Sequence, residues 1–289
     1  MTKPLLPPIF RPAMTAILES LYPKKQCCAF CGRYWHGSKL SAGLCPSCLL
    51  EWRRFRQGTV ICPLCGSFDS GDPCQGPCAD GIDGVSDRLG GLSAIYASVP
   101  YTGMYRQRIM AFKYNGAKQM AMPFGFLMAE AWREGQNREG QNQMLPRNDR
   151  PPAFLFPRRK ASQTVAPCLV PVPMHPEKEK LRGYNQSRLL AEAVSGETGF
   201  HVAELLRRSQ MGQMQAGLDK THRKTSLDQV FQWREQSKQK PGPAIIVDDV
   251  VTTGATLECC AQLLLRQGYG PVWGLTFGGG SGWALRHPA

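Results

Sequence analysis

The chain has 289 residues, 42% of them hydrophobic, and a formal net charge of +13. This length and composition predict a globular protein of one or two domains and exclude a disordered or fibrous chain. No apolar run approaches the roughly 18 residues of a transmembrane segment, and prolines interrupt the N-terminus where a secretory signal needs apolar residues. We therefore expect a cytoplasmic protein, whose charge favours polyanionic partners such as nucleic acid or phosphorylated metabolites.

In the N-terminal segment (1–25), the pattern of residues 12–22 predicts a short amphipathic helix. Cysteine pairs follow this segment. The pairs have C-x-x-C or C-x-x-x-C spacing and comprise Cys28, Cys31, Cys45, Cys48, Cys62, Cys65, Cys74 and Cys78. Two thiolates in one such knuckle reach a single ion, and a tetrahedral zinc site takes two knuckles. We predict a zinc-binding module over 26–80 that holds one or two structural Zn²⁺ ions. Pairing of neighbouring knuckles and cross-brace pairing both fit the spacing, whereas a cytoplasmic setting disfavours a disulfide framework.

Basic and aromatic residues alternate directly after the second knuckle. Arg53, Arg54 and Arg56 lie beside Trp52 and Phe55. Guanidinium groups next to aromatic rings suit phosphate contact and base stacking. Two interpretations of the module stay open: it grips nucleic acid, or its metal only folds a segment too small for a core of its own.

The remainder of the chain alternates short apolar strands with helices. Strands are predicted at 93–101, 168–173, near 201, 229–233, 244–249 and 271–277, and helices at 103–114, 117–133, 186–198 and 255–268. Residues 134–166 repeat EGQN and lack apolar periodicity, so we predict a disordered surface insertion there. This alternation predicts an α/β domain over 91–289 with a parallel sheet and right-handed crossovers, in which ligands bind beyond the carboxyl ends of the strands.

Two acids and a hydroxyl-rich turn follow the apolar strand that begins at Ala244. Asp248 and Asp249 end the strand, and a loop leads into the next helix through Val250, Thr252, Thr253, Gly254, Ala255 and Thr256. The glycine permits close approach, and amides, hydroxyls and the helix N-terminus form a cradle for a phosphate monoester. The carboxylates suit vicinal ribose hydroxyls and a hydrated Mg²⁺. This pattern predicts a site for a ribose 5-phosphate group.

The segment IIVDDVVTTGAT resembles the motif with which type I phosphoribosyltransferases bind phosphoribosyl pyrophosphate (PRPP). The resemblance implies that Asp248 and Asp249 contact the ribose 2′- and 3′-hydroxyls and that Thr252–Thr256 bind the 5-phosphate. It also implies Mg²⁺ bound together with PRPP, and catalytic roles for the two acids and for Arg223.

Three further segments resemble motifs of the ComF family of competence and DNA-utilisation proteins. They are VPVPMHPEKEKLRGYNQSRLLAEAV (170–194), AFKYNGAK (111–118) and QAGLDKTHR (215–223). With the cysteine pairs, this resemblance spans the chain apart from 134–166. One departure is Ser226, which stands where the family often has the asparagine of R-x-x-N.

The resemblance suggests roles for several residues of these segments. Pro173, Met174 and His175 leave the first core strand where related enzymes bind pyrophosphate, and Arg182 is a candidate bidentate phosphate donor. Asn185 either caps the following helix or contacts the ligand. Gln215 and Arg223 fall where phosphoribosyltransferases have a loop that closes over the substrate. Lys113 and Tyr114 are candidates for nucleic-acid contact, although a solvated lysine fits the pattern equally well.

The family resemblance implies handling of single-stranded DNA at the cytoplasmic side of the membrane during natural transformation. A DNA-translocation helicase and peripheral membrane association are candidate partnerships. Residues 150–240 carry 16 Lys and Arg against 8 Asp and Glu, which is compatible with strand binding. Two alternatives remain open: a metabolic phosphoribosyltransferase acting on an unidentified acceptor, and a non-enzymatic scaffold whose zinc module docks a translocation partner. Whether transfer is catalysed at all is also left open.

Overall fold

The computed structural model describes residues 26–35, 42–58, 60–61, 68–69, 91–142, 165–208, 230–234 and 240–280. Four sets of predictions lie outside these residues: the N-terminal helix, the knuckles from Cys62 to Cys78, most of the predicted insertion, and the segment with Gln215 and Arg223. The chain divides into two compact units, Met1–Glu51 and Trp52–Ala289.

The first unit contains a short antiparallel pair and the beginning of a helix. Strands β1 (Gln26–Cys27) and β2 (Tyr34–Trp35) are joined by a turn in which the Gly32 amide donates to the Cys28 carbonyl at 2.9 Å. Helix α1 (Pro46–Gly58) begins with a proline, whose fixed φ and missing N–H are tolerated in the first helical turn. The division between the units falls within this helix, at Trp52.

The second unit is built on a four-stranded parallel sheet. In chain order the described strands of this unit are β3 (Val60–Ile61), β4 (Phe68–Asp69), β5 (Ala94–Pro100), β6 (Cys168–Pro171), β7 (Leu206–Arg208), β8 (Phe231–Trp233), β9 (Ala244–Val251) and β10 (Val272–Gly279). The parallel sheet has the order β5-β10-β9-β6, while β3–β4 and β7–β8 form antiparallel pairs. Every residue of β10 is buried, as expected for a parallel strand covered on both faces.

Helices cover both faces of this sheet. They are α2 (Gly103–Tyr114), a 3₁₀ turn (Lys118–Met120), α3 (Ala121–Asn142), α4 (Pro176–Arg182), α5 (Gln186–Thr198) and α6 (Ala255–Arg266). On one side the ring of Phe124 in α3 stacks on Phe277 with centroids 3.7 Å apart. A β-carbon at Gly125 would lie 2.4 Å from that of Ala193, so this glycine permits α3 and α5 to pack closely. Residues of α6 form the other buried cluster with β9 and β10.

The predicted α/β fold with a parallel sheet is confirmed, and the helices predicted at 103–114 and 186–198 have those bounds. Helix α3, however, continues to Asn142, into the segment predicted as an insertion. Tertiary contacts extend it, because Glu134 pairs with Arg56 and Gly135 packs against the Tyr96 ring. The rest of the predicted insertion, 143–164, lies outside the described residues.

Within 91–289, helix α4 and strand β7 were not predicted, and the strand predicted near residue 201 is only an isolated bridge between Val202 and Leu169. Helix α4 has no buried residue, so it leaves no apolar periodicity in the sequence. It is held instead by Pro176 in its first turn, by the cap at His175 and by acidic residues near its N-terminus. Within the described parts of the chain, no helix combines the length and apolar character needed to cross a bilayer.

Candidate functional site

The candidate site lies at the carboxyl ends of β6 and β9, which are neighbours in the sheet. Pro171 is in register with Val247, and the Val172 amide donates to the Val247 carbonyl at 3.0 Å. The chain therefore leaves both strands at the same edge, where parallel α/β sheets bind ligands. A cavity of about 330 Å³ lies there. Its walls are formed by Tyr101, Lys113, Tyr114, Val172, Pro173, Met174, His175, Lys178, Arg182, Asn185, Gln186, Ser187, Arg208, Asp248, Asp249, Val250, Thr252 and Thr256.

Asp248 is held by two hydrogen bonds to one of its oxygens. Its Oδ1 accepts from the Ser187 hydroxyl at 2.8 Å and from the Asp249 amide at 2.8 Å. Burial, and secondarily the charge of Asp249, raise the pKa of Asp248 to about 7, although both hydrogen bonds act to lower it. The carboxyl of Asp248 is thus poised to gain or lose its proton near neutral pH.

Asp249, in strand β9, is paired with a lysine from helix α2. The Lys113 Nζ lies 3.0 Å from Asp249 Oδ1, and the two side chains are 20% and 6% exposed. Burial lowers the pKa of Lys113, but the charges of Asp249 and Asp248 outweigh it and leave the pKa above its usual value, so this lysine is charged. Among the described residues the other oxygen, Asp249 Oδ2, is buried without a hydrogen-bond partner. A buried acceptor of this kind is normally satisfied, so Oδ2 is positioned for a donor or a cation.

The turn after β9 begins helix α6. Gly254 precedes the helix with a φ of 77°, a left-handed conformation that favours glycine. Thr253 Oγ1 accepts a hydrogen bond from the Ala255 amide at 3.4 Å, and Thr252 and Thr256 line the cavity. The first backbone N–H groups of α6 lie at this turn and have no acceptor within the helix, so the turn carries a partial positive charge.

The loop after β6 contributes the opposite wall. His175 caps α4 by accepting the Glu177 amide on Nδ1 at 3.3 Å, so this histidine is oriented by the helix that follows it. The Arg182 guanidinium donates to Gln186 Oε1 at 2.6 Å and lies 5.0 Å from the centre of the Tyr114 ring. The arginine is therefore held at the rim of the cavity.

Asn185 connects the two walls. Its Oδ1 accepts the Ser187 amide at 3.0 Å, which caps α5, and its Nδ2 donates to the Val172 carbonyl at 3.1 Å. Of the two interpretations of this residue, the capping role is confirmed. By fixing the start of α5 against the end of β6, Asn185 also positions the Ser187 hydroxyl, which donates a hydrogen bond to Asp248.

The structure places the residues predicted for sugar-phosphate and nucleic-acid binding in different surroundings. Most of them line the cavity of about 330 Å³, including Lys113 and Tyr114, which were predicted as nucleic-acid contacts. Arg53 and Arg54 are exposed on α1. Arg223 lies outside the described residues.

Two assignments on α1 are corrected by their burial. Arg56 is 5% exposed, donates to the Ala97 carbonyl at 2.6 Å and pairs with Glu134 at 2.7 Å. Trp52 is 1% exposed and donates to the Ser98 carbonyl at 3.1 Å. Both side chains are buried by packing, so phosphate contact by Arg56 and base stacking on Trp52 are wrong predictions.

Sequence reasoning missed several residues of the site, above all Ser187. The sequence shows only that Ser187 is a small hydroxyl residue near the start of a helix. Its hydrogen-bond partner, Asp248, is 61 positions away in the chain. Tyr101, Lys178 and Arg208 were missed for the same reason, because only the folded chain brings them to the cavity.

The cysteine cluster in the first unit has the geometry of a metal site. The Sγ atoms of Cys28, Cys31, Cys45 and Cys48 all lie within 4.8 Å of one another. The Cys31 and Cys45 sulfurs are 3.8 Å apart, and sulfurs around a tetrahedral zinc with Zn–S bonds of about 2.3 Å are separated by about 3.8 Å. The four thiols therefore fit a structural metal ion, and the structure brings neighbouring knuckles together.

The environment of Cys28 favours the thiolate that a metal requires. Burial raises the pKa of the Cys28 thiol, but hydrogen bonds from three backbone amides outweigh it and lower the pKa to about 7. One of these donors is the Cys45 amide, 3.4 Å from the Cys28 sulfur. Such contacts orient ligands around a metal ion.

Comparison with known proteins gives relatives of one kind. Competence protein ComFC of Bacillus subtilis is 26% identical over 209 residues, which is 72% of each chain. Competence protein F of Haemophilus influenzae is 32% identical over 112 residues, 37% of this chain and 49% of that protein, so the match spans about half its length. DNA utilization protein YhgH of Salmonella typhi is 28% identical over 233 residues, 80% of this chain and 87% of that protein.

No protein-family model and no solved structure matches the chain. Two of the matches with curated relatives cover more than two thirds of both chains. The curated relatives, which are 26–35% identical to the chain, support its resemblance to the ComF family.

Proposed function

We propose that this protein binds PRPP or a related sugar phosphate, together with Mg²⁺, in the cavity at the carboxyl ends of β6 and β9, and that it handles single-stranded DNA. The observation that supports the first part is Asp249 Oδ2, which is buried beside the carboxyl of Asp248 and has no hydrogen-bond partner among the residues that the structure describes. Vicinal hydroxyls of a ribose present two donors at the spacing of neighbouring carboxylates.

The surroundings of the acid pair suit the rest of such a ligand. The turn at Thr252 and Thr256 opens onto the N-terminus of a 12-residue helix, which favours a phosphate group. Across the cavity, His175 and Arg182 offer an imidazole and a guanidinium to further phosphate oxygens. The N-terminus of α6 therefore suits the phosphate at one end of the sugar, and His175 with Arg182 suits the phosphates at the other end.

The carboxylates also fit the cation that accompanies a pyrophosphate. Mg²⁺ prefers carboxylate oxygens and phosphate oxygens and keeps several waters. Asp248 and Asp249 would hold such an ion, which would neutralise charge on the pyrophosphate. Lys113 supplies one positive charge at the same place, so the acid pair is already partly neutralised in the protein alone.

The DNA part of the proposal rests on the relatives and on charge. Curated relatives are named for competence and for DNA utilization. The formal net charge of +13 favours a polyphosphate strand, and Arg53 and Arg54 add exposed guanidinium groups on α1.

A paired binding experiment tests the proposal on the full chain. Calorimetry measures binding of PRPP with Mg²⁺, and fluorescence anisotropy measures binding of a labelled single strand as salt is raised. Asp249→Asn should weaken PRPP binding by at least about tenfold, because it removes a charged acceptor. Glu130→Gln, which removes a negative charge paired with Arg133 on α3, should leave the affinity unchanged.

Three results would count against the proposal. PRPP that fails to bind the wild type, or that binds Asp249→Asn equally well, excludes the cavity. Single-strand affinity that does not fall as salt rises excludes backbone binding. Circular dichroism of each variant confirms that a loss of binding does not come from unfolding.

A further inference from the structure

A second, larger cavity adjoins the candidate site. Its volume is about 650 Å³, and it shares Pro173, Met174, Asn185 and Arg208 with the first. The other lining residues are Pro171, Pro176, Glu179, Arg188, Glu204, Leu206, Arg207, Gln232 and Arg234. We call this cavity the arginine groove, because four of its lining residues are arginines and only two are acids.

Two of the four arginines already have carboxylate partners. Glu204 accepts ion pairs from Arg188 at 3.0 Å and from Arg234 at 2.9 Å. Arg188 is also 3.0 Å from Glu192. Glu204 thus holds two guanidinium groups in place, and Glu192 supplies a second negative charge, so Arg188 and Arg234 add little net positive charge to the groove.

The other two arginines are not neutralised within the described parts of the chain. No carboxylate there pairs with Arg207 or Arg208. Arg207 is exposed, and the Arg208 guanidinium lies 5.5 Å from the centre of the Phe231 ring. The pair β7–β8 therefore presents two positive charges to the groove, and guanidinium groups are well suited to phosphate oxygens.

Apolar residues line the groove together with the arginines. Pro173 and Met174 are partly exposed there, whereas Pro171 and Leu206 are buried. A surface that combines exposed cations with apolar side chains matches a nucleic acid strand whose bases are unpaired, since the bases need apolar contact and the backbone needs positive charge. A duplex keeps its bases stacked inside, so it has no base surface to place against the apolar residues.

We propose that the arginine groove binds the phosphodiester backbone of a single-stranded nucleic acid and leads it to the sugar-phosphate cavity. The inference deepens the proposed function and rests on its DNA part, to which it adds a location separate from Arg53 and Arg54. Because Arg208 lines both cavities, the strand and PRPP share a cation. Saturating PRPP with Mg²⁺ therefore weakens strand binding.

The test uses two matched arginine variants of the full chain. Arg207 lines only the groove, whereas Arg266 is an exposed arginine in the last turn of α6. Arg207→Ala should weaken binding of a fluorescent single strand by at least about threefold and reduce the slope of log affinity against log salt by about 0.7. Arg266→Ala should change neither quantity, and Arg207→Ala should leave PRPP binding unchanged.

The outcomes separate this inference from the proposed function. Equal strand affinity and salt slope in Arg207→Ala and Arg266→Ala would overturn the groove while leaving PRPP binding intact. An equal effect of Arg207→Ala on a duplex of the same length would overturn the assignment to single strands. If the wild type does not bind PRPP but its strand binding depends on Arg207, strand binding in the arginine groove is supported and PRPP binding in the first cavity is refuted.

Discussion

Asp248 and Asp249 show how adjacent residues acquire different properties from their contacts. Asp248 accepts from Ser187, and its pKa is raised to about 7 by burial and then by its neighbour. Asp249 faces Lys113, which supplies a full positive charge 3.0 Å away. A ligand that needs both acids ionised must therefore displace the proton on Asp248.

Binding of PRPP with Mg²⁺ is predicted to tighten as pH rises through 7. The protonated form of Asp248 binds neither a hydroxyl donor nor a cation well, so affinity follows the ionised fraction and increases roughly tenfold from pH 6 to pH 8. Calorimetry in buffers of different ionisation enthalpy measures the released proton. The phosphates of the ligand titrate in the same range, and a second variant separates the two effects.

Ser187→Ala is that variant. The Ser187 hydrogen bond lowers the pKa of Asp248, so its loss should move the midpoint of the affinity profile to higher pH. A profile with the same midpoint in both proteins would assign the pH dependence to the ligand and not to Asp248.

At the scale of secondary-structure elements, caps and knuckles position the functional side chains. Asn185 fixes the start of α5 against the end of β6, and His175 caps the start of α4. In the first unit, Cys28 and Cys31 lie in the turn after β1, Cys45 directly precedes α1, and Cys48 lies in the first turn of that helix. Four sulfurs from two elements meet only if a common ligand or close packing holds these elements together.

Cys45→Ser should lower the zinc content by one equivalent relative to wild type. A serine hydroxyl is a poor zinc ligand, and a site with three thiolates loses its closed tetrahedral shell. Metal released by acid is measured with a chromogenic chelator. Cys259→Ser, outside the cluster in helix α6, is the matched control and should keep the wild-type content. Equal zinc content in both variants would show that the cluster holds no zinc.

At the scale of the whole molecule, sheet order assembles the candidate site. The order β5-β10-β9-β6 places β9 beside β6, although the chain between them contains α4, α5 and the β7–β8 pair. Lys113 reaches the same cavity from α2. A ligand in this cavity contacts elements from distant parts of the chain, so its binding energy is added to the stability of the folded state.

PRPP with Mg²⁺ is therefore predicted to raise the thermal unfolding midpoint. At a ligand concentration of about 100 Kd the gain is roughly 2.7 kcal/mol, which corresponds to about 5–10 °C for a unit of this size. Differential scanning fluorimetry measures the shift. Asp249→Asn should abolish it, and an equal shift in that variant would place the ligand elsewhere.

Elements with strong local signals were predictable, whereas elements stabilised by distant contacts were not. Strands β9 and β10 have apolar runs and helix α5 has both a cap and an apolar face, so their types follow from periodicity. The predicted end of α3 and the predicted exposure of Arg56 were both wrong. The ion pair between Arg56 and Glu134 links the two errors, because it holds Arg56 in the interior and α3 in place beyond residue 133.

The sequence by itself determined the α/β fold, the cysteine knuckles and the acid–threonine turn, because each is encoded by residues close together in the chain. Only the tertiary structure decided which partners these residues meet: Lys113 for Asp249, Ser187 for Asp248, and the arginine groove beside the cavity. Periodicity specifies which face of an element is buried, but it does not specify what lies against that face. The charge environment of a site is set by those neighbours.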